Sequence, residues 1–303
     1  ARRVASEHAL FEQLEGRQLL STITWDGGGD GTTLTQAANW TGDVLPGGSD
    51  DAVINVAGTP TIALSSGAFS VNSFSCAETF NMSGGTLTVA AASDVSGAFA
   101  LSGGTFTGAG NLTISSALNW TAGQIAGSGT LTFGPASTIT LNGGTLGINR
   151  DTTNAGTVNW TGGNLSGFSG PAITFTNNGT FNANPSANNV LSQNSAINTF
   201  VNNGTFNKNG AATPAFSGYI FNGSGPVNLN AGGLTFSAGG TMSGALTLAA
   251  GTTLTHNGGA FSYASGASIS GSGAWVLAGG TQNFDIAFAP AGAVSIIAGT
   301  ATL

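Results

Sequence analysis

Glu78, Asp94, Arg150, Asp151, Lys208 and Asp285 are all the charged side chains that residues 52–303 offer for acid–base chemistry. Glycoside hydrolysis requires two carboxylates facing each other across the sugar, and these four acids are far apart in sequence. Asp94 and Asp151 are about three coils apart in the repeat derived below, on the order of 14 Å. Arg150-Asp151, the one adjacent charged pair of this region, is expected to form a solvated turn. His256 stands where the repeat carries an apolar residue, so a core or rim histidine is the expected role rather than a general base. No nucleophile motif, phosphate loop or His-rich metal spacing is present, and no catalytic or cofactor-binding residue is assigned. Asp26, Asp30, Asp43, Asp50 and Asp51 have the oxygen chemistry that Ca²⁺ prefers. Gly27-Gly28-Gly29-Asp30-Gly31 does not recur as a calcium solenoid would, so Asx turns are the default. Calcium at Asp26, Asp30, Asp50 and Asp51 stays open as the sole cofactor candidate.

Charge is scarce everywhere except the start. The 303 residues carry 5 Lys+Arg and 12 Asp+Glu, 6% in all, against about 25% in an ordinary soluble domain. Eleven of these charges fall within residues 1–51. A nucleic-acid partner is excluded, since neutralising phosphates takes clustered cations. No apolar run approaches the roughly 18 residues of a membrane span. Cys76 is the single cysteine, which rules out an internal disulfide and reads as a small buried apolar residue. Disorder is opposed by 40% hydrophobic residues, including 18 Phe, set in strand-like alternation.

A repeat positions everything else. The pattern apolar–x–apolar–small/polar–small–Gly occurs as Ile62-Ala63-Leu64-Ser65-Ser66-Gly67 and Phe80-Asn81-Met82-Ser83-Gly84-Gly85. It returns from Phe99, Leu118, Ile139 and Val158. Its second apolar residue is Leu64, Met82, Leu101, Trp120, Leu141 and Trp160, a period of 18 to 21 residues. Looser copies continue it at Phe200, Phe221, Phe236, His256, Leu277 and Ile297, and these positions are expected to form one core column. The Asn-rich stretch from Phe175 to Pro185 breaks the rhythm and is expected to hold an extended turn. Short alternating runs with Gly or Asn at the corners predict a parallel β-helix of about 11–12 coils, each with about three strands. The usual crossover rule makes it right-handed. Neutral Thr, Ser and Asn suit a stack in which like residues sit about 4.8 Å apart, where like charges would repel. Trp120 and Trp160 share the core position and are expected to fill it. The Thr86/Thr88, Thr105/Thr107, Thr130/Thr132 and Thr138/Thr140 pairs follow from ordinary strand propensity.

The first residues read differently. Leu10, Phe11, Leu14, Leu19 and Leu20 give a helical stripe after Ser6, a good N-cap. Phe11-Glu12-Gln13-Leu14-Glu15-Gly16-Arg17-Gln18-Leu19-Leu20-Ser21 resembles the LEPR-XLL motif found near the N-terminus of very large exported proteins of planctomycete-type bacteria. Gly16 stands where that motif usually carries Pro. The resemblance implies export to the envelope or cell surface. Residues 22–58, with Trp25, Trp40 and five aspartates, look like the lead-in to β-helix repeats of autotransporter-like surface proteins. The expected organisation is a leader helix over 1–21, a cap over 22–58 and coils over 59–303, with further coils or a cap to follow. The expected role is a non-enzymatic structural or adhesive solenoid outside the cell, with surface polysaccharide and further domains as partners. The alternative is a carbohydrate-active enzyme or polysaccharide-binding module.

Overall fold

The computed structural model describes residues 21–167, 170–192 and 196–303. The expected leader helix lies outside them, apart from Ser21, which opens the first strand. These residues form a parallel β-solenoid of about twelve turns with almost no helix. Among them, two single-turn 3₁₀ segments, Ala37–Asn39 and Thr41–Asp43, are the helical part. Each full coil contributes a strand to three parallel ladders, which we call first, second and third in chain order. One coil, for example, runs Leu131–Phe133, Thr138–Leu141 and Thr145–Asn149. The next runs Thr152–Asn154, Thr157–Trp160 and Asn164–Ser166, each strand parallel to its predecessor.

Alternation decides which side chains enter the core. In the second ladder Leu64, Met82, Leu101, Trp120, Leu141 and Trp160 are consecutive register partners, and all six are buried. A parallel column, Phe80–Phe99–Leu118–Ile139–Val158–Phe181–Phe206, runs beside it. Aromatic residues dominate the later coils. Phe175, Phe200 and Phe221 stack face to face at 5.2 and 5.5 Å, and Phe181 on Phe206 at 5.5 Å. Each such pair adds about 0.5–1.5 kcal/mol to the gain from burial itself.

The glycine that ends each early repeat turns the chain from the second ladder to the third. At Gly104, φ is 77° and an added Cβ would stand 2.6 Å from the carbonyl oxygens of Gly84 and Gly85. No residue with a side chain fits there without moving the coil beneath.

Three expectations are corrected. Phe200, Phe221, Phe236, Leu277 and Ile297 do not continue the Trp160 column. Trp160 is followed by Ala183, Lys208, Leu229 and Leu248. Phe200 and Phe221 belong to the first ladder. Phe236, His256 and Leu277 belong to the third, where Ile296, not Ile297, lies over Leu277. The cause is a lengthening of the coil to 23 and then 25 residues after Trp160, which shifts the phase of a fixed-period count. Ile297 is 72% exposed.

Second, Phe175 to Pro185 is not an interruption. Thr174–Asn177 and Thr180–Ala183 are regular strands in register on both sides. Third, the coils do not begin at residue 59: Ser21–Thr24 pairs with Asp50–Ile54, which pairs with Ser73–Cys76, so strand pairing already starts within 22–58. Trp25, Leu34 and Trp40 close this end of the core. The Trp40 ring lies edge-on to Trp25 at 5.1 Å and stacks on Phe69 at 5.8 Å. The opposite end is open, with Val294, Ile296, Ile297 and Leu303 exposed. Among the described residues no helix is long and apolar enough to cross a membrane, which leaves spanning by strands untouched.

Candidate functional site

Among the described residues the titratable side chains do not gather. Glu78 is largely buried and its Oε1 accepts from the Val56 amide at 3.2 Å. Asp94 is on the outer side of the first ladder between Ser75 and Thr113. Asp151 Oδ1 accepts from the Thr174 amide at 2.8 Å, and Asp285 is exposed. Among the described residues no three His, Cys, Asp or Glu side chains come together to hold a metal ion.

Arg150 is not in a solvated turn. It is 2% exposed and lies in the corner between the third ladder and the first. Its guanidinium donates to the carbonyl oxygens of Gly108 (Nη2, 3.1 Å), Gly110 (Nη1, 3.2 Å) and Ala126 (Nε, 2.8 Å, and Nη2). The planar fork thus ties three successive coils together. Burial lowers its pKa to about 10, so it stays cationic at neutral pH. Arg150→Lys cannot reproduce this fan and Arg150→Met removes it, leaving carbonyls that lose their partner. Both are expected to lose roughly 2–4 kcal/mol in urea unfolding, Met no less than Lys. A loss under 0.5 kcal/mol for Arg150→Met would contradict the clamp.

Lys208 takes an inward position under Leu229 and is fully buried. Its Nζ donates to the carbonyl oxygens of Gly210 and, at 3.1 Å, Ala231. Burial pushes its pKa down. Both cations therefore face the interior and staple corners; neither reaches a groove on the surface.

The candidate calcium ligands are already engaged. Asp30 Oδ1 accepts from the amides of Thr32 and Thr33 and from Asn39 Nδ2, and its Oδ2 accepts from the Thr33 hydroxyl. The Thr33 contacts, first among these, hold the carboxyl well below its usual range. Asn39, fully buried, occupies the centre of the loop. Its Oδ1 accepts from the Gly29 and Gly31 amides, and its Nδ2 also donates to Thr33 O and Gln36 Oε1. A neutral amide thus stands at the centre of this ring of oxygens and N–H groups. Asp26 caps the Gly28 amide, Asp50 accepts from Ser21 Oγ and the Gly47 amide, and Asp51 accepts from Asn72 and Ser73. These four aspartates serve separate turns and rungs.

His256 is fully buried, packed among Phe236, Phe261, Tyr263 and Trp275. Its Nε2 hydrogen-bonds the Tyr263 hydroxyl at 2.8 Å while Nδ1 has no partner. Desolvation lowers its pKa to about 3, so it is neutral and inaccessible to a substrate. Cys76 is buried too, and desolvation raises its thiol to about 12. Trp120 and Trp160 point inward, their Nε1 atoms donating to Gly123 O (3.4 Å) and Gly163 O (2.8 Å); they form no surface track for sugars. Shallow clefts among the described residues include one of about 420 Å³ beside Trp25, Asp26 and Pro60 and one of about 350 Å³ beside Gln124, Asn149 and Pro171.

Ordered polar chemistry lies instead in rows of asparagine. Asn154, Asn177 and Asn202 form a buried ladder, each Nδ2 donating to the next Oδ1 at 2.7 and 2.8 Å. On the outside of the second ladder Asn182, Asn207 and Asn228 donate to Asn159, Asn182 and Asn207 at 2.9, 3.0 and 2.9 Å. Flanking rows link Asn203 to Asn178 and Asn230 to Asn209. The signal was in the sequence: Asn177, Asn178, Asn182 and Asn184 recur 25 residues later as Asn202, Asn203, Asn207 and Asn209.

The fold and these faces define a parallel β-solenoid. No family model matches the chain, and comparison with curated proteins and with solved structures gives no match.

Proposed function

We propose that the chain is a non-enzymatic β-solenoid of a bacterial cell-surface or secreted protein, acting as a rigid stalk or contact surface. The observation that carries this reading is the unbroken set of inward columns beneath nearly uncharged outer faces. Twelve turns at about 4.8 Å make a rod of roughly 55 Å, stiffened by backbone ladders along its whole length. Arg150 and Lys208, the cations a carbohydrate-active site would draw on, are spent on corners inside the rod. The motif-like segment at 11–21 supports the external location.

The test has two arms. Antibody against the purified chain is expected to label intact producing cells; labelling only after lysis would contradict the location. Incubation with hydroxyethylcellulose and with polygalacturonate is expected to release no reducing ends or unsaturated products. Release that follows the purified protein would favour an enzyme.

A further inference from the structure

The outer asparagine row combines order, neutrality and unused hydrogen-bonding capacity. An amide offers two N–H donors and two acceptor lone pairs. In Asn182 and Asn207 the ladder consumes one donor and one acceptor apiece. One N–H and one lone pair remain on each, on side chains that are half-buried and held at fixed orientation. Thr180 and Thr205 stand beside them as register partners in the same strands, adding a row of hydroxyls.

We propose that this face, from the Asn159 rung to the Asn228 rung, binds a neutral polysaccharide chain lying along the solenoid axis. The inference rests on the contact-surface reading above and names its partner. Three observations select that partner. The outward residues of these four rungs include no charged side chain, Lys208 pointing inward, so a polyanion or polycation finds no countercharge. The row spans three rung spacings by strands of three or four residues, roughly 14 by 13 Å. About 180 Å² is small beside the roughly 800 Å² that a stable protein partner covers, and it suits a narrow polymer. Finally, the rung spacing of about 4.8 Å is close to the length of one pyranose unit in an extended chain, so successive amides meet successive sugars. A donor–acceptor pair on each amide matches neighbouring hydroxyls on one sugar ring. With no aromatic ring on this face, affinity accumulates from repeated weak contacts.

Affinity electrophoresis of the full chain in gels containing hydroxyethylcellulose, soluble starch or galactomannan tests this, with alginate as the anionic probe. Retardation is expected in at least one neutral polymer, with little dependence on salt. Asn182→Thr/Asn207→Thr is expected to weaken it at least tenfold; Thr already occupies this row at Thr140 and Thr247, so the fold tolerates it. Asn159→Thr/Asn228→Thr, at the ends of the row, is a second variant expected to act in the same direction. Thr132→Val/Thr153→Val, on the first ladder, is expected to change nothing. Retardation equal in wild type and both asparagine variants would overturn the site while leaving an adhesive role standing. No retardation in any neutral polymer, or retardation by alginate alone, would overturn the proposal even if intact cells are labelled.

Discussion

Asn177→Asp is expected to cost about 3–5 kcal/mol at pH 7, although it changes neither the size nor the shape of the side chain. Asn177 is fully buried. Its Nδ2 donates to Asn202 Oδ1 at 2.8 Å and Thr205 O at 3.1 Å, and its Oδ1 accepts from Asn154 at 2.7 Å. An aspartate there has no donor when ionised. It sets a carboxylate oxygen against two other acceptors in a region that water does not reach. Burial and these acceptors raise its folded-state pKa above the unfolded one. The stability of the variant should therefore recover as pH falls toward the unfolded carboxylate range, where a protonated acid regains one donor. Urea midpoints at pH 7 and pH 4.5 read this directly. Loss under 1 kcal/mol at pH 7, or a variant less stable relative to wild type at the lower pH, would show that the buried ladder does not hold these coils in register.

The second large effect is expected in the wild-type protein. His256 titrates at about 3 in the folded chain and near 6.5 when unfolded. The unfolded state therefore binds the extra proton, and stability falls as pH drops from about 6.5 toward 3, at up to about 1.4 kcal/mol per pH unit. Roughly 3 kcal/mol is at stake between pH 7 and 4. The groups that surround the imidazole are rings, Leu277 and one phenol, Tyr263, whose own pKa burial pushes up; among the described residues no carboxylate hydrogen-bonds it to receive the charge. Asp30, held well below its usual range, contributes stability above its unfolded value that is lost only under about pH 3.8, outside this window. His256→Phe/Tyr263→Phe removes the imidazole together with its hydroxyl partner, so neither is orphaned. Denaturant unfolding of this double variant between pH 7 and 4 is expected to show a nearly flat profile. A slope matching wild type would place the acid sensitivity elsewhere.

The sequence made the early coils legible and the later ones only in outline. From Leu64 to Trp160 each coil is short and ends on glycine, so counting residues also counts rungs. After Trp160 the corners lengthen, the fixed period slips, and Phe200 and Phe236 change ladder without any change in their apolar character. Lys208 shows the deeper limit. A lysine in an apolar column looks like a surface residue until Gly210 and Ala231 are seen to present their carbonyl oxygens to it. Arg150 escaped for the same reason, since its partners are backbone atoms of Gly108, Gly110 and Ala126, which carry no sequence label. Asp30 was legible as an Asx-turn residue from its glycine neighbours; that an asparagine, Asn39, fills the centre of its loop depends on a contact nine residues away.

Distances between spin labels along one outer row test the stacked coil most directly. Asn119, Asn182, Asn228 and Ser270 share a row of the second ladder, at rungs three, five and seven coils beyond the first of them. Cysteines placed there can be labelled without replacing buried Cys76. From position 119, distances of about 14, 24 and 34 Å are expected, rising linearly with coil number at about 4.8 Å per coil. Distances that level off or reverse along this series would contradict a single stack of coils.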